Sequence, residues 1–244
     1  MSFAIFFDDG GVLNDNSIRA PQWRVFCGEF FHSRFGGDPE VWGKANQRVM
    51  MSLEIHGMDP KEIYDDYITY YTNFKSEWVI KMFEEAKRSI PPKIEHERIF
   101  DTATEYIWSK VYSAIPGIIE SIKILYSKGF ILYTSTGLPS REIKMVLKGM
   151  GIKQFFSGFY GPDLINTRKL SSNFYEAIFN DINLESKNAI VIEDQPRFIE
   201  NALKTGANVI QTCITGEFQP KYPFYVENMH QLPKVIENLI RTLD

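Results

Sequence analysis

The chain has 244 residues, enough for one large domain or for a core that carries an inserted module. A hydrophobic content of 44%, a charged content of 24% and a net charge of −4 fit a soluble globular protein and argue against nucleic acid or an anionic membrane as partner. No apolar run is long enough to span a bilayer. The N-terminus has neither a basic flank nor an apolar stretch of signal length, so a cytoplasmic protein is expected. Cys27 and Cys213 lie far apart on apolar segments and read as free thiols. His32, His56, His96 and His230 do not cluster, and none is assigned to a metal.

The first element is the continuous apolar run Ala4 to Phe7, with aromatic and β-branched residues, as suits a strand buried on both faces of a parallel sheet. It ends in Asp8 and Asp9, then Gly10 and Gly11. Acids at the carboxyl end of a buried strand stand where open α/β sheets build their sites, and the glycines allow a tight turn close to a ligand.

From Asn16 to about Ser113 the pattern is helical and strand signals are absent. Pro21 opens a segment with Trp23, Phe26, Phe30 and Phe31 at helical spacing, closed by Gly36 and Gly37. Asp38-Pro39 and Asp59-Pro60 each read as an N-cap followed by proline in the first turn. Helices are expected over Pro39 to Leu53, Pro60 to Phe74, Ser76 to Arg88 and Glu97 to Ser113. All four tryptophans, Trp23, Trp42, Trp78 and Trp108, fall here and are expected to form the core of a small helical bundle.

From Pro116 helices and strands alternate. Helices are expected over Gly117 to Lys128, Pro139 to Lys148, Ser171 to Asp181 (capped by Ser171 or Ser172), Arg197 to Lys204 and Gln231 to Leu243. Strands are expected over Phe130 to Tyr133, Ala189 to Ile192 and Asn208 to Thr212, with a short one over Phe155 to Tyr160. This alternation argues a parallel, doubly wound sheet that includes the first strand. Residues 1–15 and 114–244 then form the α/β core, and residues 16–113 an inserted all-helical domain.

Strand ends carry the chemistry: Asp8 and Asp9 after the first, Thr134, Ser135 and Thr136 after the second, Glu193 and Asp194 after Ala189 to Ile192. Lys169 stands just before a helix. Carboxylates, an amine and a hydroxyl at one sheet edge suit a phosphate and a hard cation such as Mg2+, which prefers oxygen ligands. The hydroxyl and the amine would hold phosphoryl oxygens, and a carboxylate could serve as nucleophile.

These four motifs, in this order and in these strand contexts, resemble the haloacid dehalogenase-like superfamily with a helical cap inserted between its first and second motifs. That family's core is Rossmann-like, and its first motif reads Asp-x-Asp-Gly-Val/Thr-Leu. Gly11-Val12-Leu13 fixes the register, so Asp8 matches the nucleophile. The resemblance implies that Thr134 is the second-motif hydroxyl and binds phosphate with the neighbouring Ser135. It makes Lys169, with Tyr175 six residues on, the third-motif lysine. Asp8, the Gly10 carbonyl, Asp194 and Glu193 become the Mg2+ ligands, and Pro116-Gly117 the return from cap to core.

One departure stands out. The family's second Asp, its general acid/base, is Gly10 here. Glycine keeps the carbonyl but not the proton shuttle, a loss worth a factor of about 10² to 10⁴. Asp9 and Asp15 are the acids nearby, although alternation along the strand turns Asp9 away from Asp8. The expected activity is Mg2+-dependent hydrolysis of a small phosphorylated metabolite through a phosphorylated Asp8, slow or confined to good leaving groups such as acyl and aryl phosphates. The alternatives are carbon–halogen hydrolysis, which needs no metal and no second Asp, and a non-catalytic phosphate-binding module.

Overall fold

β1 (Ala4–Phe7) is buried at every position and stands in the middle of the sheet, as its unbroken apolar sequence requires. The computed structural model describes residues 3–57 and 66–243. The chain divides into two compact units, Met1–Asn16 with Ser113–Asp244, and Ser17–Tyr112.

The second unit is helical, and among its described residues there is no strand. It holds α1 (Asn16–Phe35, whose first residue belongs to the other unit), α2 (Pro39–Gly57), α3 (Tyr67–Glu85) and α4 (His96–Trp108). Phe31 is its hub, with ring centroids 4.8 Å from Trp42, 5.6 Å from Trp78 and 6.0 Å from Phe83. Trp42, Trp78 and Trp108 are buried and Trp23 packs against the same cluster, so the tryptophans are core, as expected. Burying each of these side chains contributes roughly 1.5–3 kcal/mol.

Several boundaries differ from the sequence reading. α1 begins five residues before Pro21 and carries that proline inside it. The two helices expected over Pro60 to Phe74 and Ser76 to Arg88 are, within the described residues, the single α3. Asp66 caps it, accepting from the Thr69 backbone N–H at 3.1 Å. Nothing breaks the helix at Lys75, which turns onto the Tyr71 ring and pairs with Glu97 and Asp101. The Asp59-Pro60 cap lies outside the described residues. α4 stops at Trp108, not Ser113, because the Tyr112 backbone is claimed by Gln22, which accepts from its N–H and donates to its carbonyl.

The first unit continues with α5 (Ile118–Ser127), β2 (Ile131–Ser135), α6 (Ser140–Gly149), β3 (Gly158–Tyr160), α7 (Pro162–Ile165) and α8 (Ser172–Asp181). Then follow β4 (Ala189–Glu193), α9 (Pro196–Lys204), β5 (Asn208–Thr212), β6 (Tyr225–Val226) and α10 (Leu232–Leu243). The short α7 and β6 carry too little periodicity to be read from sequence. Ser171 precedes α8, but its side chain makes no capping bond.

All six strands are parallel, in the order β3-β2-β1-β4-β5-β6. The chain therefore winds one way from β1 through β2 and the other way through β4. The carboxyl end of β1 is the switch point, where such sheets open a crevice. The chain leaves and re-enters this unit through a clasp. The Asp15 N–H donates to the Ser113 carbonyl at 2.8 Å, the Ile115 N–H to the Leu13 carbonyl at 3.0 Å, and Ser113 Oγ to Asn14 Oδ1 at 3.0 Å.

Candidate active site at the carboxyl end of β1

Register decides which side chains meet. Phe7 pairs with Thr134 on one side and Ile192 on the other. The next level therefore holds Asp8, Ser135 and Glu193, and side chains at one level of a parallel sheet share a face. That face packs on α8, where Phe6 meets Phe179 and Val191 lies in the same cluster.

The loop before α8 delivers Lys169 to this level. Its Nζ donates to Asp8 Oδ1 at 2.7 Å and to Glu193 Oε2 at 2.5 Å, all three groups being buried. Asn201 of α9 steadies that loop by donating to the Leu170 carbonyl at 3.2 Å. Tyr175 lies behind, its hydroxyl 3.5 Å from Glu193 Oε2. The other Glu193 oxygen accepts from the backbone N–H groups of Asp194 and Gln195, at 3.1 and 3.2 Å.

Asp194 completes the centre. Asp8, Glu193 and Asp194 each offer an oxygen within 4.8 Å of the other two. Gly11 (φ +72°) lies so close that a Cβ there would come 2.1 Å from Asp194 Oδ2. Thr212 holds the same turn, donating to the Gly11 carbonyl at 2.8 Å, and Gln211 donates to the Asp194 carbonyl at 3.4 Å.

Three acids against one amine leave an excess of negative charge, and the protonation energetics register it. Burial, reinforced by repulsion from Glu193, pushes the Asp8 carboxyl up to about 7 despite the Lys169 ammonium. Burial and the neighbouring Glu193 push Asp194 up to about 9. Burial pulls Lys169 down, but the Asp8 and Glu193 carboxylates outweigh it and hold the ammonium well above its usual range. Asp194 Oδ1 is buried without a hydrogen-bond partner among the described residues. Clustered hard oxygens, surplus negative charge and an unsatisfied carboxylate oxygen fit a divalent cation such as Mg2+.

Asp8, Lys169, Glu193 and Asp194 are thus brought together, with Gly10 in the adjoining turn. Thr134 is not. It faces the other side of the sheet, and its hydroxyl donates to the Tyr160 carbonyl at 3.1 Å. Ser135 stands beside Asp8 instead, and its buried Oγ has no hydrogen-bond partner among the described residues. In TST the sequence offers three consecutive hydroxyls, and only the register with β1 separates them. Asp9 is committed to the turn, accepting from Asn14 Nδ2 at 2.8 Å while its carbonyl accepts from the Leu13 and Asn14 N–H groups. Sequence reasoning missed Asn201, Gln211 and Thr212. Gln211 and Thr212 end β5 at and just beyond the level of Glu193, a signal visible only once the strands are aligned.

Fold and site together define a doubly wound α/β protein with an acidic, lysine-bearing centre at its switch point. The family model for haloacid dehalogenase-like hydrolases matches residues 48–212, and the chain belongs to that family. It is a hydrolase. It is 23% identical over 212 residues to the phosphorylated carbohydrates phosphatase of Thermotoga maritima, spanning 83% of this chain and 81% of that one. The magnesium-bound HAD-hydrolase YfnB of Bacillus subtilis superposes with a TM-score of 0.64 at 13% identity, over 96% of this chain and 98% of that one. A 2-haloacid dehalogenase of Pseudomonas syringae does so with a TM-score of 0.65 at 16% identity, over 98% of this chain and all of that one. The fold is common to the last two, so the chemistry must be argued from the site.

Proposed function

We propose that this protein is a Mg2+-dependent phosphatase that hydrolyses a small phosphorylated metabolite through a phosphorylated Asp8. The observation that carries this reading is the Lys169 ammonium, held between Asp8 and Glu193 while Asp194 Oδ1 stays unsatisfied. The phosphatase of Thermotoga maritima, which its name says acts on phosphorylated carbohydrates, supports a small phosphorylated substrate. The magnesium in YfnB supports the metal.

Asp8, the Gly10 carbonyl and Asp194 would hold the ion, which when bound neutralises charge on the phosphoryl oxygens and on the carboxylates around them. Both Glu193 oxygens are already engaged by Lys169 and by two backbone N–H groups. Its role is therefore to aim the lysine. Lys169 and Ser135 bind the phosphoryl oxygens, and the free oxygen of Asp8 attacks phosphorus. Water then hydrolyses the acyl phosphate. We assign the helical unit Ser17–Tyr112 the role of a cap domain that selects the substrate. Two free cysteines suit a reducing compartment, and we take the enzyme to be cytoplasmic. No helix among the described residues is long and apolar enough to cross a membrane.

A dehalogenase, which needs no metal, would leave three acids against one ammonium to repel the carboxylate of a haloacid, whereas a bound Mg2+ would offset them for a phosphate. The test is release of inorganic phosphate from p-nitrophenyl phosphate and acetyl phosphate. Activity that needs Mg2+ and disappears in Asp8→Asn is expected. Equal release in chelator, or chloride release from a 2-haloacid, would overturn the reading.

A further inference from the structure

Gly10 leaves no gap where a side chain is missing. A Cβ built on it would come 2.7 Å from Asn16 Nδ2, 3.1 Å from Asn16 Oδ1 and 3.3 Å from Asn16 Cγ. The carboxamide of Asn16 therefore fills the space that the first atoms of a residue-10 side chain would take. Gly10 lies between Asp8, which pairs with Lys169, and Gly11, which packs against the Asp194 carboxylate. Gly10 bridges to Asn14 in the turn that follows Asp8. Asn16 belongs to the same compact unit as these residues, and it is exposed, so a ligand can reach it.

We infer that the Asn16 carboxamide does the hydrogen-bonding work of the absent side chain: it contacts the leaving oxygen of the substrate and restricts the enzyme to phosphoryl compounds whose leaving group departs without a proton. This deepens the phosphatase reading and rests on it. An amide can donate an N–H to a developing anion but cannot transfer a proton at ordinary pH. In the first step Asp8 forms a bond to phosphorus, the bond from phosphorus to the leaving oxygen breaks, and that oxygen keeps the electron pair and leaves as an anion. A carboxylate, an enolate or a phenolate tolerates this, whereas an alkoxide does not. In the second step water adds to phosphorus, the carboxylate of Asp8 leaves, and both protons of the water remain on the released phosphate. Neither step calls for an acid at residue 10. The substrate class that follows is acyl, enol and aryl phosphates, with alkyl phosphates excluded.

The test compares wild type, Asn16→Ala and Asn16→Asp on acetyl phosphate, p-nitrophenyl phosphate and glycerol 2-phosphate in Mg2+. Calorimetric binding of inorganic phosphate and thermal unfolding are followed in parallel. Wild type should cleave the first two and leave glycerol 2-phosphate almost untouched. Loss of a hydrogen bond to a charged oxygen should lower kcat of Asn16→Ala on p-nitrophenyl phosphate by about 10- to 100-fold, while phosphate binding and unfolding temperature stay close to wild type. Asn16→Asp supplies a carboxyl that can be protonated, so it should raise turnover of glycerol 2-phosphate by at least about 10² and make that activity fall with rising pH. A wild type that is active while both variants keep its kcat and its substrate preference would overturn the assignment of Asn16 and leave the phosphatase reading standing. A wild type that releases no phosphate from any of the three would overturn both.

Discussion

The Lys169 ammonium lies 2.5 Å from Glu193 Oε2, and both groups are buried. Glu193 ends β4 and Lys169 precedes α8, so this ion pair ties the loop that carries the lysine to the central sheet. Its geometry sets where the positive charge of the site stands relative to Asp8.

Removing that charge should cost stability as well as activity. Lys169→Met leaves Glu193 and Asp8 buried without their cation, and breaking such a pair costs about 3–5 kcal/mol. Lower denaturation midpoints at neutral pH and loss of Mg2+-dependent phosphate release are expected. A variant as stable as wild type would show that the ammonium does not compensate those carboxylates.

The two neighbouring hydroxyls should separate cleanly. Ser135→Ala deletes a buried oxygen with no partner among the described residues, so stability should change by less than about 1 kcal/mol while phosphate affinity and turnover fall. Thr134→Val deletes the bond to the Tyr160 carbonyl and should cost about 1–2 kcal/mol with turnover retained. Denaturant titration beside steady-state kinetics reads both. The opposite pattern would restore Thr134 as the phosphate-binding hydroxyl.

Gly11 should tolerate no side chain. A Cβ there would stand 2.1 Å from Asp194 Oδ2, and φ of +72° is left-handed backbone. Gly11→Ala should displace Asp194, weaken Mg2+ binding by at least about tenfold and lower stability by about 1–3 kcal/mol. Calorimetric titration with Mg2+ checks it, and wild-type affinity would contradict the placement of Asp194 as a ligand.

Metal binding and pH should be linked. Asp8 at about 7 and Asp194 at about 9 lie above the unfolded-state value of about 3.9 for an aspartate. Between those limits the folded protein binds more protons than the unfolded one, so stability in chelator should fall as pH rises through about 7 and on toward 9. Lys169, held well above its usual range, stays charged throughout. Mg2+ competes with those protons, so its stabilising effect should grow with pH. Thermal unfolding at pH about 6 and about 9, with Mg2+ and with chelator, reads the trend. A metal effect equal at both values would separate the ion from these carboxylates.

The sequence by itself determined the parallel sheet, the helical insert and the four carriers of charge, because each is written locally. An apolar run such as Ala4–Phe7, short and ended by Asp-Asp-Gly-Gly, suits a buried strand, and the acids of its carboxyl end follow it to the sheet edge. It chose Thr134 among three consecutive hydroxyls where the register places Ser135 beside Asp8, since a side chain's face depends on the strand beside it. It placed Glu193 in the acidic centre but could not show that tertiary contacts engage both its oxygens with Lys169 and backbone N–H groups. It read Gly10 as a loss, because the group that fills that place, Asn16, lies six positions away and is brought there only by the turn through Val12 and Asn14. Composition and periodicity report what a segment buries. Which polar atoms end within hydrogen-bond reach of one another is fixed by register and by chain return, and neither exists until the sheet is assembled.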